Sequence, residues 1–300
     1  MGTVLKNRDD LVALLQGKSH GFSETFRKIA AFILSDYRRA CFMTAQELAE
    51  VAGVSQPSVT RFAAYLGFRG FPEFQRSLQQ LVRHEMTGPD RMQALVERHS
   101  DGIPYGDLLR EEIRNLDRLT ETLASPVFQQ VAANLAEADT VVVAGFRASA
   151  ALAEYTAFFL AKVHPRVRAL THGDSTALEA LLPLEPENTA VLVHAFPRYP
   201  RETQAFQRFA ADQGFPVVLI TDNPLSPLVA QARWVLAAPV AFGSLFDSYC
   251  APIALTNALV QEVAKRHPER TRHRLARFEE MAARHGVFLS NDLSSARELP

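Results

Sequence analysis

Cysteine is almost absent: Cys41 and Cys250 are the only two in 300 residues, far apart and outside any Cys-x-x-Cys pair. A zinc ribbon and a disulfide framework are therefore excluded, and two reduced thiols in a reducing compartment are the expectation. No apolar run reaches the ~18 to 20 residues of a membrane span. The opening stretch MGTVLKNRDDLVALL lacks the basic-then-apolar order of a secretory leader, so a cytoplasmic protein without membrane partners is expected. The histidines, His164 and His172 among them, show no metal-ligand spacing, and no metal or other cofactor is expected. Charge of one sign is lacking too: the formal net charge is -1, which excludes a chain that coats nucleic acid along its whole length.

What is present is the balance of a folded globular chain, 47% hydrophobic and 22% charged, long enough for two domains with separate cores. Charge is unevenly placed. Residues 1–86 hold 11 Lys and Arg against 8 Asp and Glu, so the N-terminal part carries the positive excess.

Up to residue 81 the pattern is all-α. Phe26, Ile29, Ala30 and Ile33 follow a helical period after Ser23, a candidate N-cap. Leu48, Ala49 and Ala52 form a second apolar stripe that Gly53 ends. Ser55 opens a third helix, with Val59, Phe62, Ala63 and Leu66 on one face and Gly67 as its stop, and Pro72 suits the first turn of another. Residues 82–105, with Gly-Pro and Gly-Ile-Pro breakers in a polar stretch, read as a linker. From 106 to 286 apolar runs alternate with amphipathic segments. Strands are expected at Thr140–Ala144, Val167–Leu170, Ala190–His194, Pro216–Thr221 and Trp234–Ala238. Helices are expected at Ala150–Lys162, Thr176–Leu182, Glu202–Gln213, Ser226–Ala232, Ser248–Lys265 and Pro268–Ala283. Near-continuous apolar strands are buried on both faces, which predicts a doubly wound, mainly parallel α/β sheet. Residues 287–300 read as a tail.

The stretch TAQELAEVAGVSQPSVTRFAAYLGF carries the strongest chemical signal. Ala49 is small where two helices must approach. Gly53, four residues on, supplies a left-handed corner, and Val59, six residues further, clamps the crossing. This is helix-turn-helix spacing, and it aims the first turn of the second helix outward. Ser55, Gln56, Ser58, Thr60 and Arg61 are the candidate DNA contacts, because Gln and Arg make bidentate bonds to base edges and hydroxyls bond bases or phosphates. Arg69 is a candidate phosphate contact. The competing reading is a helical hairpin with a small residue and a glycine for packing.

The features RKIAAFIL, MTAQELAEVAGVS and VTRFAAYLGFRGFPEF resemble the N-terminal domain of the RpiR family of bacterial regulators. That family joins its helix-turn-helix to a sugar-isomerase-like (SIS) domain, and VVVAGFRAS with RETQAFQRFAADQGFPVVLITDNPLSPLVAQARWVL is similar to it. The resemblance implies double-stranded operator DNA and a small anionic metabolite as partners, with a homodimer or homotetramer presenting two recognition helices. It also implies an effector site in two loops, with Gly145, Arg147, Ser149, Arg198, Arg201 and Thr203 as candidates.

Both loops depart from the family pattern. Arg147 stands where a second glycine is usual, and Ala195, Pro197, Arg198 and Pro200 replace serines, glycine and threonine. Proline donates no N–H, so the phosphate cradle is reduced. Either arginines grip an anion with guanidinium forks instead, or the domain serves chiefly for dimerisation. The helix SYCAPIALTNALVQEVA is a candidate subunit contact or a buried core helix. No catalytic residue is expected. The alternative, a SIS-type phosphosugar isomerase with an N-terminal interaction module, would need His194 or Glu202 as base, where a core histidine and a helix-start glutamate are the simpler readings.

Overall fold

The computed structural model describes residue 5 and residues 8–98, 105–224, 226–240 and 245–289. Residues 99–104 of the expected linker and the expected tail beyond 289 lie outside these. The chain divides into two compact units, Met1–Leu109 with Ala241–Asp247, and Arg110–Val240 with Ser248–Pro300.

The first unit is helical: α1 (Arg8–Lys18), α2 (Glu24–Ser35), α3 (Tyr37–Ala40), α4 (Ala45–Ala52), α5 (Gln56–Tyr65), α6 (Phe71–Glu85) and α7 (Gly88–Arg98). Local chemistry sets the ends. Ser23 Oγ accepts from the Phe26 N–H to cap α2. At α4, Thr44 accepts from the Glu47 N–H while the Glu47 carboxylate accepts from the Thr44 N–H at 2.6 Å, a reciprocal pair that satisfies two orphan donors. Pro72 sits in the first turn of α6. Apolar faces meet in one core containing Ile29, Leu48, Val59, Phe62, Leu66, Phe74 and Leu78. Phe22, Phe26, Phe62, Tyr65 and Phe74 contact ring to ring, edge-on or tilted, the arrangement that aromatic quadrupoles favour. Gln75 and Gln79 of α6 donate to the Met43 and Cys41 carbonyls at 2.7 and 3.0 Å, fastening the chain ahead of α4.

The second unit contains the rest of α8 (Tyr105–Leu123), then α9 (Pro126–Glu137), β1 (Thr140–Gly145), α10 (Ala150–Val163), β2 (Val167–Leu170), α11 (Ser175–Glu179), β3 (Thr189–Ala195), α12 (Arg201–Asp212), β4 (Val217–Thr221), β5 (Trp234–Ala237), α13 (Cys250–Arg266) and α14 (Pro268–Arg284). The strands form one sheet of order β2-β1-β3-β4-β5, every pair parallel. Alternate residues serve opposite faces, as a pleated strand requires. Val141, Val143, Leu192 and Ile220 pack under α9, α10 and α13, whereas Val142, Val191, Val193 and Leu219 pack under α11 and α12.

Two expectations need correction. Ser226–Ala232 forms no α-helix, only a 3-10 turn at Val229–Gln231, because its apolar residues fill the space beside α12 without a helical stripe. Edge strand β2 is not buried throughout: Arg168 and Ala169 are exposed, since an edge has a neighbour on one side only. The apolar helix α13 is a core helix of its own unit, with Ala251, Leu255, Leu259 and Val263 buried.

His164 and His194 are neutral anchors. His164 Nδ1 accepts from the Arg166 N–H and Nε2 donates to the Ala138 carbonyl at 2.8 Å, and burial lowers its pKa. His194 on β3 is wholly buried, with Nε2 2.8 Å from Thr156 Oγ1, and burial lowers its pKa from 6.5 to about 3.

Two predictions follow from this fold. Gly53 has φ +64° and nothing near its missing Cβ, while Gly17 lies in α1 with free space and ordinary φ. Gly53→Ala should therefore destabilise by about 1 kcal/mol, and Gly17→Ala should stabilise by roughly 0.5–1 kcal/mol, both read by urea unfolding. His194 protonates far more readily unfolded than folded, so its contribution is complete above pH ~6.5 and fades as pH falls toward 3. Going from pH 7 to 5, the wild type should lose about 2 kcal/mol more than His194→Gln.

Candidate functional site

The first candidate surface is built by the α4–α5 turn. Gly53 is left-handed, the Val54 N–H donates to the Ala49 carbonyl at 2.9 Å, and the Gly53 N–H donates to Glu50 at 3.2 Å. These two bonds close α4 and turn the chain sharply. Ala49 is buried and Val59 is 1% exposed, both in the one core that α4 and α5 share. The same device ends α5: the Phe68 N–H bonds to Ala63 and the Gly67 N–H to Ala64, with Gly67 at φ 101°.

With Val59, Phe62 and Ala63 buried, the opposite face of α5 is left to solvent. Ser55, Gln56, Thr60 and Arg61 are exposed, and so is Arg69 beyond the turn. Ser58 differs from expectation. It is 6% exposed, and its hydroxyl lies 2.9 Å from Ser55 Oγ and accepts from Arg61 Nη2 at 3.0 Å. Ser58 therefore orients Arg61 rather than reaching outward. Ser55 stands at the N-cap position but makes no capping bond, because that hydroxyl is paired with Ser58. Arg69 is tethered through its N–H to the Glu73 carboxylate at 2.5 Å, with its guanidinium 3.8 Å away.

The second candidate surface lies at the carboxyl edge of the sheet. From β1 the chain passes to β2 on one side, and β3 lies on the other, so the gap between the β1 and β3 ends is the topological switch point where open α/β sheets bind ligands. Both loops singled out from sequence leave from it. Gly145 ends β1, and a Cβ there would strike the Ser149 carbonyl and come within 3.1 Å of Ala153 Cβ. Its role is close packing of the turn under α10. Arg147 holds φ 55°, the left-handed conformation that suits a glycine, and its side chain is exposed.

Arg147 shares a cleft of about 610 Å³ with Glu154, Thr171, His172, Asp174 and Glu202. Ser149 is buried at 3% exposure and Thr203 at 0%, while Arg198 and Arg201 are exposed but lie outside the cleft lining. The structure thus brings one of the six candidates into the cleft and joins it to groups that sequence reasoning passed over, those of the THGDS turn and Glu154. The signal was available: this turn follows apolar β2 and so opens onto the same sheet edge. Gly173 is needed there, since a Cβ would meet the Glu202 stem at 2.6 Å and the Phe146 ring at 3.1 Å.

The neighbouring β3 loop is pinned. The Tyr199 hydroxyl donates to buried Asp222 at the end of β4, Asn223 Nδ2 donates to the other carboxylate oxygen at 2.7 Å, and burial followed by Asp222 raises the Tyr199 pKa. His194 is wholly buried and is not part of the cleft lining. Among the described residues no group of three or more His, Cys, Asp or Glu is placed to hold a metal ion, and no helix is long and apolar enough to cross a membrane.

Residues 10–85 match the model of the rpiR-family helix-turn-helix domain, and residues 134–261 match that of the SIS domain. An uncharacterized HTH-type transcriptional regulator of Escherichia coli K12, YfhH, is 25% identical over 282 residues, covering 86% of this chain and 95% of that protein. The sugar isomerase domain of an RpiR transcription factor from Sphaerobacter thermophilus is 29% identical, covers 59% of this chain and 98% of that one, and superposes with a TM-score of 0.56. The Vibrio vulnificus NanR protein, solved with ManNAc-6P, is 18% identical, covers 93% and 99%, and has a TM-score of 0.55. The chain thus carries an rpiR-family helix-turn-helix domain followed by a SIS domain, and along most of its length it is similar to a transcriptional regulator.

Proposed function

We propose that the protein binds a specific operator through α5 and that an anionic metabolite bound in the Arg147 cleft changes its affinity for that DNA. The observation that carries the reading is the division of α5. Val59, Phe62 and Ala63 are spent on the core, leaving Gln56, Thr60 and Arg61 as a polar row on a helix of the width that enters a major groove. Ser55 and Arg69 flank the row as phosphate contacts, and Ser58 holds Arg61 in place. A homodimer or homotetramer would present two such rows to half-sites about one helical turn apart.

The metabolite reading rests on Arg147. A guanidinium offers a planar fork of donors to phosphate or carboxylate, and at the switch point it stands in for the backbone donors that prolines have removed from the β3 loop. Arg198, Arg201 and Thr203 are then secondary, drawn in only if that loop moves when ligand binds. A phosphorylated sugar is the class of ligand with which the NanR relative was solved. We read the protein as a regulator and not an isomerase: Glu202 is the one carboxylate of the β3–α12 region in the cleft, and His194 is buried and neutral.

An electrophoretic shift against the DNA upstream of the protein's own gene, at moderate salt with nonspecific competitor, tests the first half. Retention of that DNA but not of a scrambled sequence is expected, and equal retention of both would count against operator recognition. Arg61→Ala should cost about 1–3 kcal/mol of binding and relax preference at one operator position; uniform weakening on all sequences would reassign Arg61 to phosphate. For the second half, Arg147→Gly should stabilise the fold by about 1 kcal/mol by relieving the left-handed strain, yet abolish any metabolite effect on DNA binding. A full response retained by that variant would remove Arg147 from the site.

A further inference from the structure

The cleft carries a charge pattern that an anion-binding site does not need. One guanidinium, Arg147, lines the cleft together with three carboxylates, Glu154, Asp174 and Glu202, and with Thr171 and His172. Asp174 is engaged locally, accepting from the Thr176 N–H at 3.1 Å and from its hydroxyl at 2.5 Å as the cap of α11. Among the described residues the side chains of Arg147, Glu154 and Glu202 make no hydrogen bond or ion pair, although opposite charges line one cleft. Glu202 is also held in place. Its stem lies over Gly173, where even a methyl group would displace it.

Taking the cleft as the metabolite site, on which this inference rests, we propose that its ligand is a zwitterion: a small molecule with a phosphate or carboxylate at one end and a protonated amine at the other. The anion takes the Arg147 fork, and the ammonium lies between Glu154 and Glu202. A ligand that is only anionic would satisfy Arg147 while bringing its charge within a Debye length of carboxylates that no side chain pairs with, and like charges at that range repel. An ammonium reverses the sign of those terms and gives each carboxylate a charge-assisted donor. A metal ion is the other cation that carboxylates attract, but among the described residues no three or more His, Cys, Asp or Glu are placed to hold one. The cleft volume of about 610 Å³ suits a molecule the size of a phosphorylated monosaccharide or amino acid.

The test uses matched pairs in which an ammonium replaces one hydroxyl and nothing else changes: glucosamine 6-phosphate against glucose 6-phosphate, and phosphoserine against 3-phosphoglycerate. Binding to the full-length protein is measured by titration calorimetry, with operator retention measured alongside. In at least one pair the amine should bind roughly tenfold or more tighter, the effect of a charge-assisted contact. The Glu154→Gln/Glu202→Gln variant, checked for folding by circular dichroism, should bring the two members of that pair to nearly equal affinity. The proposal is overturned if in both pairs the hydroxyl compound binds as tightly as its amine partner, or if the preference survives in the double variant. If a hydroxyl compound binds through Arg147 and shifts operator retention, metabolite sensing stands and the zwitterion inference alone falls. If no member of either pair binds, both fall.

Discussion

The crossing of α4 over α5 is the constraint on which the first unit depends. It is held by three residues with separate jobs: Ala49 lets the helices approach, Gly53 takes a backbone conformation that other residues adopt only at a cost, and Val59 fills the contact. Bulk at the first position or a side chain at the second changes the angle, and with it the direction of every side chain on α5. The surrounding aromatic core stiffens this arrangement, since Phe62 of α5 touches Phe22, Phe26 and Phe74 from three different segments. The polar face of α5 is thus a consequence of what its other face must bury.

The second unit applies a comparable economy to a sheet. Parallel strands place all their carboxyl ends on one edge, and the reversal in strand order opens a gap there. What fills that edge in this chain departs from the glycine- and serine-rich loops that the resemblance implies. Gly145 keeps the tight turn, Arg147 accepts a strained backbone to put a guanidinium over the cleft, and Tyr199 with Asp222 fixes a loop that prolines have deprived of donors. Strain of this kind persists where the surrounding structure over-determines it and is concentrated at functional sites, which is why Arg147 marks the cleft more sharply than any motif.

Much of this was legible from residues alone. The period of Leu48, Ala49 and Ala52, the corner at Gly53 and the clamp at Val59 located the helix-turn-helix because each is a local rule. The strands read correctly because the central ones, β1, β3 and β4, are buried and so are continuous apolar runs, with shorter runs marking the edges. Ser58 was misjudged because its neighbours alternate between faces of one turn, and only the packed structure shows which way a small hydroxyl points. The 3-10 turn at Val229–Gln231 was overcalled for a related reason: apolar residues in an irregular segment mimic a helical stripe. Glu154 and the turn after β2 were missed, and Glu202 was weighed only as a base, because these groups are far apart in the chain and line one cleft only once α10, the end of β2 and α12 are folded together. Arg147 was found, as a departure from the pattern of a glycine-rich loop, but its left-handed backbone could not be read from the sequence.

The most direct measurement is photo-crosslinking from the face of α5. A benzophenone attached at Gln56→Cys, in a Cys250→Ser background since Cys250 is exposed and Cys41 buried, is compared with one attached at Val51→Cys, an exposed position on α4. If α5 lies in the major groove, the label at position 56 will form adducts with bases of the retained promoter fragment and the label at 51 will not. Equal yields from the two positions, or adducts from 51 alone, would mean that another surface meets the DNA.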